Sequence, residues 1–248
     1  MIQPPRAPRT TPSSPRSIPA RILLFDLDGT LVLTGGAGVR ALDRAFQALY
    51  GLKAAGRTVP FAGRTDLGII RDIVERKLHR PLAAEEAAAI CERYLHYLEG
   101  EVERSATYRV LPGVPALLTL LTSRPDCLVG LGTGNLEAGA RIKLARADLN
   151  RFFTFGGFGS DAEDRVEVLR CAVARGEARR AQTGADGPAR VFVIGDTRLD
   201  VESGRALGAR TVAVATGAES AEALERAGPD HLLADLTDPG TFLRILDR

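Results

Sequence analysis

Cysteine, histidine and lysine are scarce in this chain, and each scarcity excludes something. The 248 residues hold only three Cys, three His and three Lys. Cys91, Cys127 and Cys171 are odd in number and scattered, with no metal-type spacing. That argues against a disulfide framework or a zinc site and makes a reducing cytoplasm the natural setting. His79, His96 and His231 lie far apart and near none of the motifs below, so they read as structural or surface residues. Lys53, Lys77 and Lys143 are the only lysines among 33 basic residues, and the net charge is +2. No global field therefore selects nucleic acid or a membrane surface. Long apolar runs are missing too. The longest nearly apolar stretch, Val110–Leu121, is too short for a bilayer and contains Pro112 and Pro115. No signal-peptide core is visible.

What is present is the composition of a globular protein, 45% hydrophobic and long enough for a substantial core. Residues 1–20 stand apart. They carry six of the 14 prolines and no acid, and such a segment is expected to be a disordered tail. The sequence selects neither a monomer nor a dimer.

From Arg21 the chain reads Arg-Ile-Leu-Leu-Phe-Asp26-Leu-Asp28-Gly29-Thr30-Leu31. A short apolar run of strand type ends in two carboxylates at i, i+2 and a glycine that lets the backbone turn back. Acids at the carboxyl end of such a strand stand where open α/β sheets bind ligands. Val191-Phe-Val-Ile-Gly195-Asp196-Thr197-Arg198-Leu199-Asp200 repeats the arrangement, and Leu131-Gly132-Thr133-Gly134-Asn135 closes another apolar run before a helix. Thr34–Gly38 reads as a hinge. Helical periodicity follows at Val39–Leu49, Leu67–Leu78 and Ala83–Val102, with no convincing strand between 34 and 109. From Pro112, strands and helices alternate, which predicts a parallel sheet with right-handed crossovers. Expected pieces include a short strand at Phe152–Phe155, a helix at Asp161–Ala174 opened by a Ser160/Glu163 capping box, and a surface loop over 176–189. Gly36-Ala-Gly38-Val-Arg-Ala41 mimics a dinucleotide fingerprint, but it lies too far from the strand and lacks a ribose-binding acid.

The three motifs, in their order along the chain (26–31, 131–135 and 191–200), resemble those of the haloacid dehalogenase-like hydrolases, in the phosphoglycolate phosphatase-like branch. The resemblance implies an α/β fold: a doubly wound, Rossmann-like parallel sheet (21–33 and 109–248) with an inserted all-helical cap of type 1 (34–108). It makes Asp26 the nucleophile that forms an aspartyl-phosphate, and Asp28 the general acid and base. It implies a Mg²⁺ ion held by Asp26, Asp28, Asp196 and Asp200, because two anions about 4 Å apart repel by roughly 4 kcal/mol at an effective dielectric near 20. Thr133, with Gly134 and Asn135, would bind phosphate oxygens at a helix N-terminus.

The family's third motif is a basic residue, and here the common Lys-Pro pattern is absent. Arg165 follows the Gly156–Asp164 loop, which should sit at the catalytic edge. Lys143 lies some 12 Å down its helix at about 1.5 Å per residue, so placement favours Arg165 and leaves Lys143 as the competing, substrate-binding candidate. Arg64, in the cap loop Phe61–Asp66, is the candidate for gripping the far end of the substrate; the alternative reading of this loop is a plain helix N-cap at Thr65 or Asp66. The implied activity is hydrolysis of a small phosphorylated metabolite such as 2-phosphoglycolate or a sugar phosphate. A phosphotransferase or phosphomutase is the alternative, but such mutases carry a His early in the cap and residues 34–50 contain none. A non-catalytic regulatory protein is a further alternative, and it has no use for all of Asp26, Asp28 and Asp196.

Overall fold

The computed structural model describes residues 21–182 and 188–247. The tail expected over 1–20 lies outside them. In chain order the elements are β1 (Arg21–Phe25), β2 (Val32–Leu33), α1 (Ala37–Tyr50), α2 (Asp66–Leu78), α3 (Ala84–Glu103), β3 (Arg109–Val110), α4 (Val114–Thr122), β4 (Cys127–Gly132) and α5 (Glu137–Ala145). Then follow β5 (Gly156–Gly157), α6 (Arg165–Gln182), β6 (Arg190–Gly195), α7 (Arg198–Ala206), β7 (Arg210–Val214), α8 (Ala221–Ala227), β8 (His231–Leu233) and α9 (Pro239–Asp247).

Six strands form one parallel sheet in the order β5-β4-β1-β6-β7-β8. The central strand β1 is buried at every position and alternates between two apolar layers. Leu23 and Phe25 pack with α4, α5 and α9 through Leu117, Leu144 and Phe242. Ile22 and Leu24 pack on the other face with Leu169 and Ala172 of α6. The sheet is thus doubly wound. Chain direction away from β1 reverses there, toward β4 on one side and β6 on the other. Ligands bind at such a switch point, outside the strand carboxyl ends.

Helices α1, α2 and α3 form a cap with its own apolar centre, including Phe46, Ile70, Ile73 and Leu98. The chain leaves and re-enters the sheet layer through the antiparallel pair β2–β3, with Val32 opposite Val110 and Leu33 opposite Arg109. Helix α1 ends as its sequence directs, at Gly51 with φ of 70° and its N–H on the Gln47 carbonyl.

Three expectations are corrected. Phe152–Phe155 is not a strand: a 3₁₀ turn occupies Asn150–Phe152 and the strand is Gly156–Gly157, paired with Leu131 and Gly132. Phe152 and Phe153 pack into the same apolar layer, whereas strand alternation would send these neighbours to opposite faces. Helix α6 opens at Arg165, not Asp161. Its cap is Asp164, whose Oδ1 accepts from the N–H groups of Val166 and Glu167 at 2.8 and 3.1 Å. Ser160 instead accepts from the Glu137 N–H, so the Ser160/Glu163 box does not form. The same helix runs on to Gln182, replacing part of the loop expected over 176–189; residues 183–187 lie outside the described chain.

Candidate active site

Strand register assembles the site. Phe25 is level with Leu131 and Ile194 on its two neighbours. One step beyond that line the chain reaches Asp26 on β1, and Thr133 and Asp196 follow on β4 and β6. Among the described residues, oxygens of Asp26, Asp196 and Asp200 lie within 4.8 Å of one another, and all three residues are buried.

The glycines of the motifs are demanded by these close approaches. Gly29 has φ of 90°, and a Cβ there would stand 2.3 Å from Asp196 Oδ2. A Cβ on Gly134 would stand 2.2 Å from the Arg64 carbonyl, where the cap loop presses on the core. Thr30 donates to Asp196 Oδ1 at 3.2 Å, and the Ala218 N–H to Oδ2 at 3.2 Å.

Two cations divide the acids between them. Arg165 donates to Asp26 Oδ1 at 2.9 Å, to the Gly132 carbonyl at 3.1 Å and to Asp200 Oδ1. Lys143 donates to Asp28 Oδ2 at 2.5 Å and to Asn135 Oδ1 at 2.5 Å. The expectation that Lys143 stays away from the acids is therefore corrected. Axial distance along α5 misjudged its reach, because helical side chains lean toward the helix N-terminus and the lysine stem spans the rest. Lys143 is itself buried, at 5% exposure. Burial opposes its charge, but Asp28 and Asp66 outweigh that and raise its pKa.

The Asp28 carboxylate also accepts from Asn135 Nδ2 at 3.0 Å. Its carboxylate stands outside the Asp26–Asp196–Asp200 cluster. Asp200 has a double duty. Its Oδ2 accepts from the Thr197 hydroxyl and N–H at 2.7 and 3.1 Å, closing the capping box of α7, while Oδ1 takes Arg165.

Burial raises the Asp26 carboxyl above the usual carboxylate range. Arg165 pulls it down, and Asp200 and Asp28 push it up. Asp196 is raised by burial and by the charges of Asp26 and Asp200. Three buried carboxylates with one guanidinium between two of them are short of positive charge. Hard oxygens at this spacing fit a divalent cation, which Asp26, Asp196 and Asp200 would hold.

Thr133 is fully buried and its Oγ1 accepts from Asn135 N and Nδ2, at 3.3 and 2.8 Å. Its own N–H is spent on the Gly157 carbonyl. Thr133 therefore fixes Asn135, which in turn meets both Asp28 and Lys143.

Arg64 lines the cavity between cap and core, but its guanidinium is held by Asp72 at 2.9 Å and by the Gly68 carbonyl at 3.3 Å. Helix α2 is capped by Thr65, whose Oγ1 accepts from the Gly68 N–H. That frees Asp66 for a role sequence reasoning missed. Its N–H donates to the Gly134 carbonyl and its Oδ2 accepts from the Leu136 N–H, each at 2.8 Å, tying cap to core. Burial pushes the Asp66 carboxyl up to about 6, against the pull of Lys143. No local signal separates such an acid from an ordinary first-turn residue. The cavity measures about 350 Å³, and Asp28, Asn135, Lys143, Tyr94 and Arg109 all line it.

Residues 167–239 match the HAD-hydrolase-like family model. The phosphoglycolate phosphatase of Yersinia pestis is 30% identical over 224 residues, covering 88% of this chain and 90% of that protein. That of Escherichia coli K12 is 26% identical over 239 residues, with the same coverage. Among solved structures, a predicted phosphatase from Clostridium acetobutylicum superposes with a TM-score of 0.65 at 17% identity, covering 94% of this chain and all of that one. A putative beta-phosphoglucomutase from Bacteroides vulgatus does so with 0.63 at 21% identity, covering 94% and 90%. At those identities the likeness concerns the fold.

Proposed function

Because the chain belongs to the haloacid dehalogenase-like hydrolases, in their phosphoglycolate phosphatase-like branch, and is a phosphatase, we propose that it is a Mg²⁺-dependent enzyme that hydrolyses a small phosphorylated metabolite through an aspartyl-phosphate on Asp26. The observation that carries this reading is the unequal treatment of two acids two residues apart. Asp26 is 6% exposed and held at Oδ1 by Arg165, which leaves Oδ2 to attack. The Asp28 side chain is 40% exposed, faces the cavity, and is steered by Lys143 and Asn135. One acid is fixed as a nucleophile, and the other is free to exchange protons with a leaving oxygen or water.

In the first half-reaction Asp26 Oδ2 bonds to phosphorus and the ester P–O bond breaks. Asp28 gives its proton to the departing oxygen. In the second, water attacks the same phosphorus, Asp28 takes a proton from it, and the Asp26–phosphorus bond breaks to release phosphate. Arg165 holds the nucleophile's line of approach and offsets its charge in both. A bound Mg²⁺ would supply the positive charge that lets an anionic nucleophile meet an anionic phosphate. The cap, taken as residues 34–108, excludes bulk water while this happens. Among the described residues no helix is long and apolar enough to cross a membrane. Three free cysteines fit a cytoplasmic setting.

Phosphate release from a panel of phosphorylated metabolites, with Mg²⁺ and with excess chelator, tests the reading. Release that depends on Mg²⁺ and vanishes in Asp26→Asn is expected. Product that is an isomer, with no free phosphate, would assign the chain to the mutases instead.

A further inference from the structure

The substrate cavity is lined by three positively charged residues, and two of them are already spent. Lys143 is bound to Asp28 and Asn135, and Arg64 to Asp72 and the Gly68 carbonyl. Arg109 lines the same cavity, is exposed, and its guanidinium makes no hydrogen bond or ion pair among the described residues. It sits on β3, where the chain returns from cap to core, directly opposite Leu33 of the strand that leaves the catalytic loop for the cap. The rest of the wall offers apolar side chains such as Val39, Phe61 and Ile69, together with the Tyr94 and Thr107 hydroxyls.

Resting on the phosphatase reading above, we propose that Arg109 is the specificity-determining residue of the cavity. It selects phosphate monoesters whose body carries a second anionic group, a carboxylate or a second phosphate. The function expected for Arg64 from sequence thus passes to a residue outside the cap helices. The physical reason is availability. An arginine already neutralised by a carboxylate gains little from a second anion, whereas an unpaired guanidinium offers a two-pronged, charge-assisted grip.

The test uses the full chain with Mg²⁺ and three probes: 2-phosphoglycolate for a carboxylate, fructose 1,6-bisphosphate for a second phosphate, and p-nitrophenyl phosphate for a neutral body. For Arg109→Gln, the ratio of kcat/KM for the better anionic probe to that for p-nitrophenyl phosphate is expected to fall about tenfold or more, mainly through KM. Arg109→Lys should restore part of the ratio and Arg109→Glu should lower it further. Arg64→Gln should move it less. The anionic probe that loses most identifies the group recognised.

An unchanged ratio in Arg109→Gln overturns the inference, as does a larger change in Arg64→Gln. Wild-type turnover of p-nitrophenyl phosphate without turnover of either anionic probe overturns it too, while leaving the phosphatase reading intact. Absence of turnover of all three probes rejects the phosphatase reading itself and takes the inference with it.

Discussion

The site has two halves built on one principle with different outcomes. On the core side, Arg165 lies between Asp26 and Asp200, with side chains 9%, 8% and 2% exposed. On the cap side, Lys143 meets an Asp28 side chain that is 40% exposed. The first pairing is enclosed, suited to a group that must not move while it attacks. The second opens onto the cavity, suited to a group that must trade protons. In the proposed mechanism the same chemical pair, cation and carboxylate, serves two tasks according to how much water it keeps.

The comparison breaks most sharply at the nucleophile. Asp26→Asn is expected to reduce turnover below about 1% of wild type while the melting temperature holds or rises, because burial disfavours the charge it removes. Phosphate release and a thermal melt check both halves of that statement, and retention of substantial turnover would falsify the nucleophile assignment.

Arg165→Ala comes next. It should lower kcat/KM by about 10²–10³. It should also destabilise the fold by about 3 kcal/mol, because two buried carboxylates lose their partner. Added Mg²⁺ should recover more melting temperature in this variant than in wild type. Near-wild-type kinetics would move the counter-charge role to Lys143.

Lys143→Met should lower kcat by about 10–10², less than Arg165→Ala, since water can solvate an Asp28 that faces the cavity. The reverse order of the two effects, read from steady-state kinetics, would invert the division of labour drawn above.

Magnesium affinity should tighten as pH rises from about 5 to about 8. Asp26 and Asp196 have raised carboxyl pKa values, so both hold protons at the acid end, and a cation must displace them. Calorimetric titration at several pH values measures it, and a pH-independent dissociation constant would count against these ligands.

The smallest effect belongs to Asp66. Its carboxyl is raised to about 6 in the fold, above the usual range near 4 of an unfolded chain. Its contribution to stability is therefore full below about pH 4 and is lost as pH rises toward about 6. Asp66→Asn keeps an acceptor for the Leu136 N–H and should remove that loss, gaining on the order of 1 kcal/mol over wild type at pH 7 after allowance for partial solvation. Denaturant midpoints at pH 4 and pH 7 compare the two. A variant destabilised at pH 7 but not at pH 4 would show that the cap–core tie needs the charge, since the wild-type carboxyl is neutral at pH 4.

What was legible beforehand follows how local the cause is. β1 was readable because every position of Arg21–Phe25 is buried and the apolar run says so. Helix α1 was readable because its periodicity and its Gly51 terminus agree. The strand after Leu149 was misplaced because Phe152 and Phe153 pack into the same apolar layer, without the alternation of a strand. The start of α6 was missed because Asp164, not Ser160, reaches its first N–H groups, a choice made by where Ser160 is needed on α5.

The sequence by itself determined the sheet, the order of the motifs and the chemical type of the site. Those depend on apolar runs and on acids at their ends, which are properties of neighbouring residues. Which cation serves which acid was decided only by the tertiary structure. Lys143 and Arg165 are 22 positions apart along the chain and reach Asp28 and Asp26, respectively, from separate helices. The same holds for Asp66, which looks like a first-turn acid until the cap is laid on the core, and for Arg64, whose charge is cancelled by Asp72 of α2, eight residues on. Charge pairing acts through space over a few ångströms, and chain spacing does not measure that distance until the helices are docked.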